Sequence, residues 1–298
     1  MREISLRAFA KINLGLDVLR RRDDGYHDLR MIMQSIRLSD RLTMRVTKAE
    51  GVRISTNLSY LPGDADNLAA RAAAMLMEEF DLPGGVYIDL EKHIPVAAGL
   101  AGGSSDAAAA LVGMNRLFDL KLSLPELMER GKKIGADVPF CLMRGTALAE
   151  GIGEKLTPLP APPACLVLLA KPDAHISTKY VYTNLDLAKV SAHPDIDAQI
   201  KALEKGDLEA LAANMGNVLE PVTEAVCPEV GLIREKMLSK GAVGAMMSGS
   251  GPTVFGLYTD RDKALEAKSV LEEQEGMQRV ILCDLFLTNH SGDSWKPY

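Results

Sequence analysis

Between Pro95 and Asp106 the chain reads Pro-Val-Ala-Ala-Gly-Leu-Ala-Gly-Gly-Ser-Ser-Asp and passes straight into an alanine-rich run, Ala107 to Leu111. Gly99, Gly102 and Gly103 permit positive φ and let the backbone come close to a ligand, while Ser104 and Ser105 add hydroxyl donors. Four consecutive glycines and serines, Gly102 to Ser105, are expected outside the core. The alanines are strong helix formers, so the loop feeds a helix N-terminus, where unpaired N–H groups and the positive end of the dipole collect anions. The pattern is that of a phosphate cradle. It is not the P-loop, which needs lysine directly before Ser or Thr, since no lysine lies between Lys92 and Lys121. In isolation a flexible turn capped by Ser105 would read the same way, but residues 85–91 alternate as a strand does, which puts the loop between strand and helix.

Three other segments carry polar residues in unusual company. In Ala8-Phe-Ala-Lys-Ile-Asn-Leu-Gly-Leu-Asp17, Lys11 and Asn13 share one face of a period-2 strand while Ile12 and Leu14 take the other. Asp24-Gly-Tyr-His-Asp28 is a turn presenting an aromatic ring beside an imidazole, suited to stacking on a planar base and reading its edge. Met247-Ser-Gly-Ser-Gly-Pro252 is a turn between strands whose backbone donors could close over phosphates. A single carboxylate, Asp137, lies in Gly135-Ala-Asp-Val-Pro139. Phosphoryl transfer needs the phosphates cradled, a cation for developing charge, and a carboxylate to take or orient the attacking hydroxyl. The loop at 99–105, Lys11 and Asp137 supply those parts.

The elements that must position these residues mix strands and helices. Strands are expected at 5–10, 41–46, 52–56 and 86–90, and a helix over 67–80. Ser123 and Glu126 form a capping box for a helix reaching Lys133, with Gly135 as its C-terminal cap. The proline-rich run 158–163 reads as a linker or an extended edge. Beyond it a strand at 165–170, a polar loop rich in Thr, Tyr and Asn, and helices near 196–219 and 228–239 are expected. Strands at 243–247 and 253–258, a helix at 263–274 and a strand at 280–286 complete a split βαβ order with one extra helix. With 298 residues, 47% of them hydrophobic, two domains are the expectation. A net charge of −6 argues against general nucleic-acid binding. Cys141, Cys165, Cys227 and Cys283 form no Cys-x-x-Cys pair and read as reduced core thiols. Neither a signal peptide nor a membrane span is expected, which points to the cytoplasm.

Together these segments resemble the GHMP kinase superfamily, whose hallmark is a P-x-x-x-G-L-G-S-S-A-A-like loop. The match is strongest to the branch that phosphorylates a cytidyl-linked methylerythritol in non-mevalonate isoprenoid biosynthesis. The A-K-I-N-L-x-L opening, the G-Y-H turn, the glycine loop ending S-S-D-A-A, the G-A-D-V-P-F segment and the S-G-S-G-x-x-x-F turn occur here in order, from residue 8 to residue 256. The resemblance implies an α+β, two-domain GHMP kinase fold with the active site in the interdomain cleft. Residues 1–157 would be ribosomal-protein-S5-domain-2-like and residues 158–298 a ferredoxin-like split βαβ.

It also implies transfer of phosphate from ATP, with Mg2+ as the nucleotide's counter-ion, to the 2-hydroxyl of the cytidyl substrate. Asp137 would accept the hydroxyl proton, Lys11 would hold the hydroxyl and stabilise charge, and Asn13 would contact the methylerythritol. Tyr26 would stack near the cytosine, His27 would bond its edge, and an aromatic of the Lys179–Tyr182 segment, Tyr182 ahead of Tyr180, would cover the other face. Pro95, Gly99, Leu100, Ala101, Gly102, Gly103, Ser104 and Ser105 would take the ATP phosphates. Ser248, Gly249, Ser250 and Gly251 would close the cleft. Metal ligands stay unassigned, and monomer and homodimer both stay open; no nucleic acid and no membrane are expected as partners. Ala101 departs from the family's usual glycine, and if its φ is positive the alanine costs about 1 kcal/mol. Other small alcohols, such as homoserine or mevalonate, are the rival acceptors, and a nucleotide-binding sensor is the non-enzyme rival.

Overall fold

In the computed structural model, residues 2–61 and 66–287 are described. The chain opens with a long antiparallel hairpin, β1 (Glu3–Arg21) and β2 (His27–Thr47). Both strands run well beyond the stretches expected from alternation, because residues 8–18 and 31–36 are buried on both faces and so show no period of two. Register shifts between Phe9 and Lys11, Asn13 and Gly15, and Val18 and Arg20 bend β1 and re-aim its side chains. Between the first two shifts Lys11 lies opposite Ser35 and Asn13 opposite Met33.

The other edge of β2 pairs with β4 (Gly85–Glu91) through residues 41–47 and with β5 (Thr146–Gly151) through residues 29–34. β3 (Gly51–Thr56) lies parallel to β4, and β6 (Lys155–Pro158) closes the six-stranded sheet beside β5. α1 (Leu68–Glu79) starts where Asn67 caps it, the side chain accepting from the Ala69 N–H at 3.0 Å. α2 (Gly102–Leu117) packs against α1 and β1 in a core that holds Leu6, Leu42, Ala108 and Leu111. α3 (Leu124–Lys132) carries the expected Ser123–Glu126 box. A six-residue helix, α4 (Val138–Met143), follows it with Asp137 at its N-cap.

β7 (Leu166–Pro172) begins the second sheet, four-stranded and antiparallel, in the order β10-β7-β9-β8, with β8 (Gly244–Met247), β9 (Val254–Tyr258) and β10 (Met277–Asp284). The expected split βαβ order is present. Between β7 and β8 come α5 (Thr178–Asn184), α6 (Ile196–Lys205), α7 (Leu208–Ala213), α8 (Glu220–Glu224) and α9 (Glu229–Ser239). α10 (Arg261–Glu272) precedes β10. The single helix expected near 196–219 breaks at Gly206, which takes the left-handed C-cap, and Asp207 caps the next helix. α5 stands where a polar loop was expected.

Residues from the two halves share a core. Ile12 and Leu14 of β1 lie in one buried cluster with Val167, Leu169 and Phe255 of the second sheet. Since neighbouring positions of a strand face opposite ways, this burial leaves Lys11 and Asn13 turned the other way. Backbone bonds from Leu16 N to the Gly216 carbonyl (2.9 Å) and from Val218 N to the Leu16 carbonyl (3.1 Å) fasten the same strand to the second half.

Candidate active site

The face of β1 that carries Lys11 and Asn13 opens on a cleft of about 1080 Å³, walled by the 95–104 loop, the Asp137 segment, the hairpin tip, α5 and the Gly249–Ser250 turn. Part of its wall is the glycine-rich loop that leads into α2. α2 begins at Gly102, and its first backbone bond is from Ser105 N to the Ala101 carbonyl, so the N–H groups of Gly102, Gly103 and Ser104 have no partner within the helix. No side chain caps them from Ala101. Those three residues line the cleft, as an anion site requires.

Gly99 shows why the loop needs a glycine there: its φ is +74°, and a Cβ would sit 2.0 Å from the Ser248 carbonyl oxygen. Its own carbonyl accepts from Lys11 Nζ (3.1 Å) and from Ser248 Oγ (3.0 Å), joining β1, the loop and the second half at one atom. Ala101 adopts φ 55°, ψ 31°, the left-handed conformation whose cost was anticipated. Ala101→Gly is therefore expected to raise stability by up to ~1 kcal/mol, strain relief outweighing the added freedom of the unfolded chain. In thermal unfolding that is an increase of about 1–4 °C; an unchanged or lower midpoint would show that the left-handed alanine stores no strain.

Three of the expected phosphate residues lie elsewhere. Ser105 is 1% exposed, and its hydroxyl donates to the Phe9 carbonyl at 2.7 Å, because the fourth residue of the helix turns toward the sheet. It is core, contrary to the expectation for the glycine-serine run. Ser248 is fully buried and spends its hydroxyl on Gly99, and Gly251 is not among the residues that line the cleft. Gly249 and Ser250 do face the cleft; Ser250 Oγ is 2.8 Å from Thr178 Oγ1 of α5. Pro95, Gly99, Leu100 and Ala101 all line it too.

In the middle of the cleft Lys11 Nζ donates to Asn13 Oδ1 at 2.8 Å and stands 3.9 Å from Asp137 Oδ2. That last separation is longer than a direct hydrogen bond and leaves the ammonium and the carboxylate free to hold one hydroxyl between them. Asn13 Nδ2 donates to Met31 Sδ at 3.2 Å. The lysine on one side and the thioether on the other accept only one orientation of the amide, with the oxygen toward Lys11. Asp137 owes its place to the Gly135–Pro139 turn, where Val138 N bonds the Gly135 carbonyl (3.1 Å) and Cys141 N the Asp137 carbonyl (3.0 Å).

The far end is aromatic. His27 and Tyr182 rings lie 5.3 Å apart at 32°, and Tyr26 projects at the rim, 61% exposed. Of the two tyrosines of α5, Tyr182 lines the cleft and Tyr180 is not among its lining residues. Burial, and then the charge of Arg21, push the His27 imidazole below its ordinary range, which favours the neutral ring with one donor and one acceptor. Burial and the nearby Asp137 charge push the Tyr182 phenol up.

Sequence reasoning missed a buried triad under the phosphate loop. Lys92 donates to Asp40 and, at 2.7 Å, to Asp106 Oδ2; Asp40 Oδ1 also accepts from the backbone of His93 (2.5 Å) and Ile94 (2.8 Å). Burial pushes the Asp106 carboxyl up. Lys92 lies 3.2 Å from where a Gly102 Cβ would be, so the triad braces the first turn of α2. Asp106 was visible only as the end of Ser-Ser-Asp, and nothing in the spacing joined it to Asp40.

Family models described as GHMP kinases N terminal domain and GHMP kinases C terminal match residues 67–145 and 199–275. A protein of Lachnospira eligens named 4-diphosphocytidyl-2-C-methyl-D-erythritol kinase is 51% identical over 286 residues, 96% of this chain and 99% of that protein. A crystal structure of 4-(cytidine 5'-diphospho)-2C-methyl-D-erythritol kinase superposes with a TM-score of 0.81 at 35% identity, covering 95% of this chain and 99% of that one. A homoserine kinase from Cytophaga hutchinsonii shares the fold, with a TM-score of 0.79 at 20% identity and coverage of 96% and 95%.

Proposed function

Because the chain belongs to the GHMP kinases and, within them, to the 4-diphosphocytidyl-2-C-methyl-D-erythritol kinases, we propose that it transfers phosphate from ATP to the 2-hydroxyl of 4-diphosphocytidyl-2-C-methyl-D-erythritol, releasing ADP. One observation carries the acceptor assignment: in a single cleft Lys11 bonds the glycine-rich loop at the Gly99 carbonyl, and the charge of its partner Asp137 reaches Tyr182 of the His27–Tyr182 ring pair. A small alcohol acceptor has no base for those rings.

The first-turn N–H groups of Gly102, Gly103 and Ser104 hold the ATP phosphates, and Lys11 balances the charge that develops on the transferred group. Asp137 takes the proton of the acceptor hydroxyl as the O–P bond forms. Asn13, oriented by Lys11 and Met31, turns its remaining N–H to the methylerythritol. Mg2+ enters with the nucleotide as its counter-ion, consistent with the ion's habit of binding through substrate phosphates. Among the described residues no group of three His, Cys, Asp or Glu is gathered for a resident metal. No described helix is long and apolar enough to cross a membrane, and the cytoplasm, where ATP is abundant, is the compartment proposed.

The test is ADP release with magnesium-ATP, comparing the cytidyl substrate with methylerythritol phosphate, homoserine and mevalonate. Turnover with the cytidyl substrate alone is expected; turnover with homoserine or mevalonate instead would discard the base site while leaving the phosphate loop. Tyr26→Ala is expected to raise KM for the cytidyl substrate about 5- to 100-fold, the value of one base stack, with little change in kcat. An unchanged KM would remove Tyr26 from the base site.

A further inference from the structure

Three arginines stand in a row at the hairpin tip, and two are neutralised. Arg20 pairs with Asp28 at 2.6 Å, and Arg22 pairs with Asp24 at 2.8 Å and with Asp28 at 3.3 Å. Arg21, between them, is exposed, lines the cleft and has no carboxylate partner among the described residues. It lies opposite His27 in the hairpin register, and its charge reaches the His27 imidazole. The His27 ring meets Tyr182 of α5. One turn earlier on that helix, at the three-residue spacing that places side chains on one face, is Lys179, also exposed, lining the cleft and without a carboxylate partner among the described residues. A chain of net charge −6 thus keeps two unneutralised cations on the wall of its cleft beside the His27–Tyr182 rings.

The ATP phosphates, in the reading above, are taken by the backbone N–H groups of the glycine-rich loop, so Arg21 and Lys179 are not needed there. We propose that Arg21 and Lys179 form a second anion subsite, which holds the diphosphate of a nucleoside-diphosphate acceptor whose base lies against His27 and Tyr182. The proposal rests on the acceptor reading above and deepens it. Guanidinium offers a planar fork to two phosphate oxygens at once, and the lysine supplies a mobile point charge for the other phosphate. The pair sorts acceptors: homoserine or mevalonate gains nothing from it, whereas a cytidyl diphosphate gains both contacts. ATP, seated by its own phosphates on the loop, is indifferent to it.

The experiment is direct binding of CDP, CMP and cytidine, by calorimetry on the full chain, to the parent, Arg21→Gln, Lys179→Gln and the double variant. In the parent, CDP is expected to bind at least tenfold more tightly than cytidine, with a clear loss as salt is raised. In the double variant the CDP-to-cytidine ratio is expected to fall toward one and the salt dependence to flatten, with cytidine affinity and KM for ATP unchanged. An undiminished ratio in the double variant overturns the subsite. A parallel loss of cytidine binding overturns it too, since the side chains would then be shaping the pocket. If the parent binds neither CDP nor cytidine while ATP still binds, the acceptor reading itself has failed and takes the subsite with it.

Discussion

Replacing Asp137 by alanine is expected to lower kcat by about 10²–10⁴-fold, the usual worth of a positioned general base, while KM for ATP changes by less than about threefold. The carboxylate stands 3.9 Å from the Lys11 ammonium with 30% of its side chain exposed, facing the cleft. It has no hydrogen bond to the 95–104 loop, so its loss leaves the proposed ATP cradle intact. The interaction matters as the hydroxyl loses its proton and not in the ground state, which is why kcat carries the effect. Asp137→Asn, which keeps the shape, should fall as far and separates loss of the base from loss of the α4 N-terminus. Steady-state kinetics in both substrates decides the matter. Activity within about threefold of the parent, ~0.7 kcal/mol of barrier, would mean that Asp137 is not the base.

What could be read from sequence was what depends on near neighbours. The shared face of Lys11 and Asn13 follows from a period of two and is realised in their 2.8 Å bond. The Ser123–Glu126 box, the Asn67 helix and the strand order of the second half are local patterns as well, and those elements formed within a few residues of their expected bounds, whereas the helix expected near 196–219 is divided at Gly206. Which hydroxyl of a glycine-serine run faces the ligand is a different matter. Ser104 and Ser105 are alike in sequence, but the phase of α2 sends the second toward the Phe9 carbonyl, far away in the chain. Ser248 is captured by Gly99 in the same way. Composition also hid α5: Thr-Lys-Tyr-Val-Tyr-Thr-Asn is poor in helix formers, and the turn of helix is held by packing, with Val181 fully buried. The Asp40–Lys92–Asp106 triad joins three elements with no shared spacing, and only the folded chain reveals it.

Lys11→Met should reduce kcat by about 10²–10³-fold, comparable with removing one preorganised donor from a charge-stabilising site. Methionine nearly matches the lysine stem in length, and only 5% of Lys11 is exposed, so packing is largely kept and the charge is what is lost. The substitution strands Asn13 Oδ1 and removes one of the two donors to the Gly99 carbonyl, a stability cost of about 1–3 kcal/mol for the unsatisfied acceptor. Gly99 keeps its bond from Ser248, so the loop should hold its shape and KM for ATP should rise only modestly. The sharper test is the double variant with Asp137→Ala. If lysine and aspartate hold one hydroxyl between them, neither can act fully without the other, and the double variant should be scarcely slower than the worse single one. Multiplicative losses would mean that the two groups serve separate steps, with Lys11 acting on the phosphoryl oxygens alone.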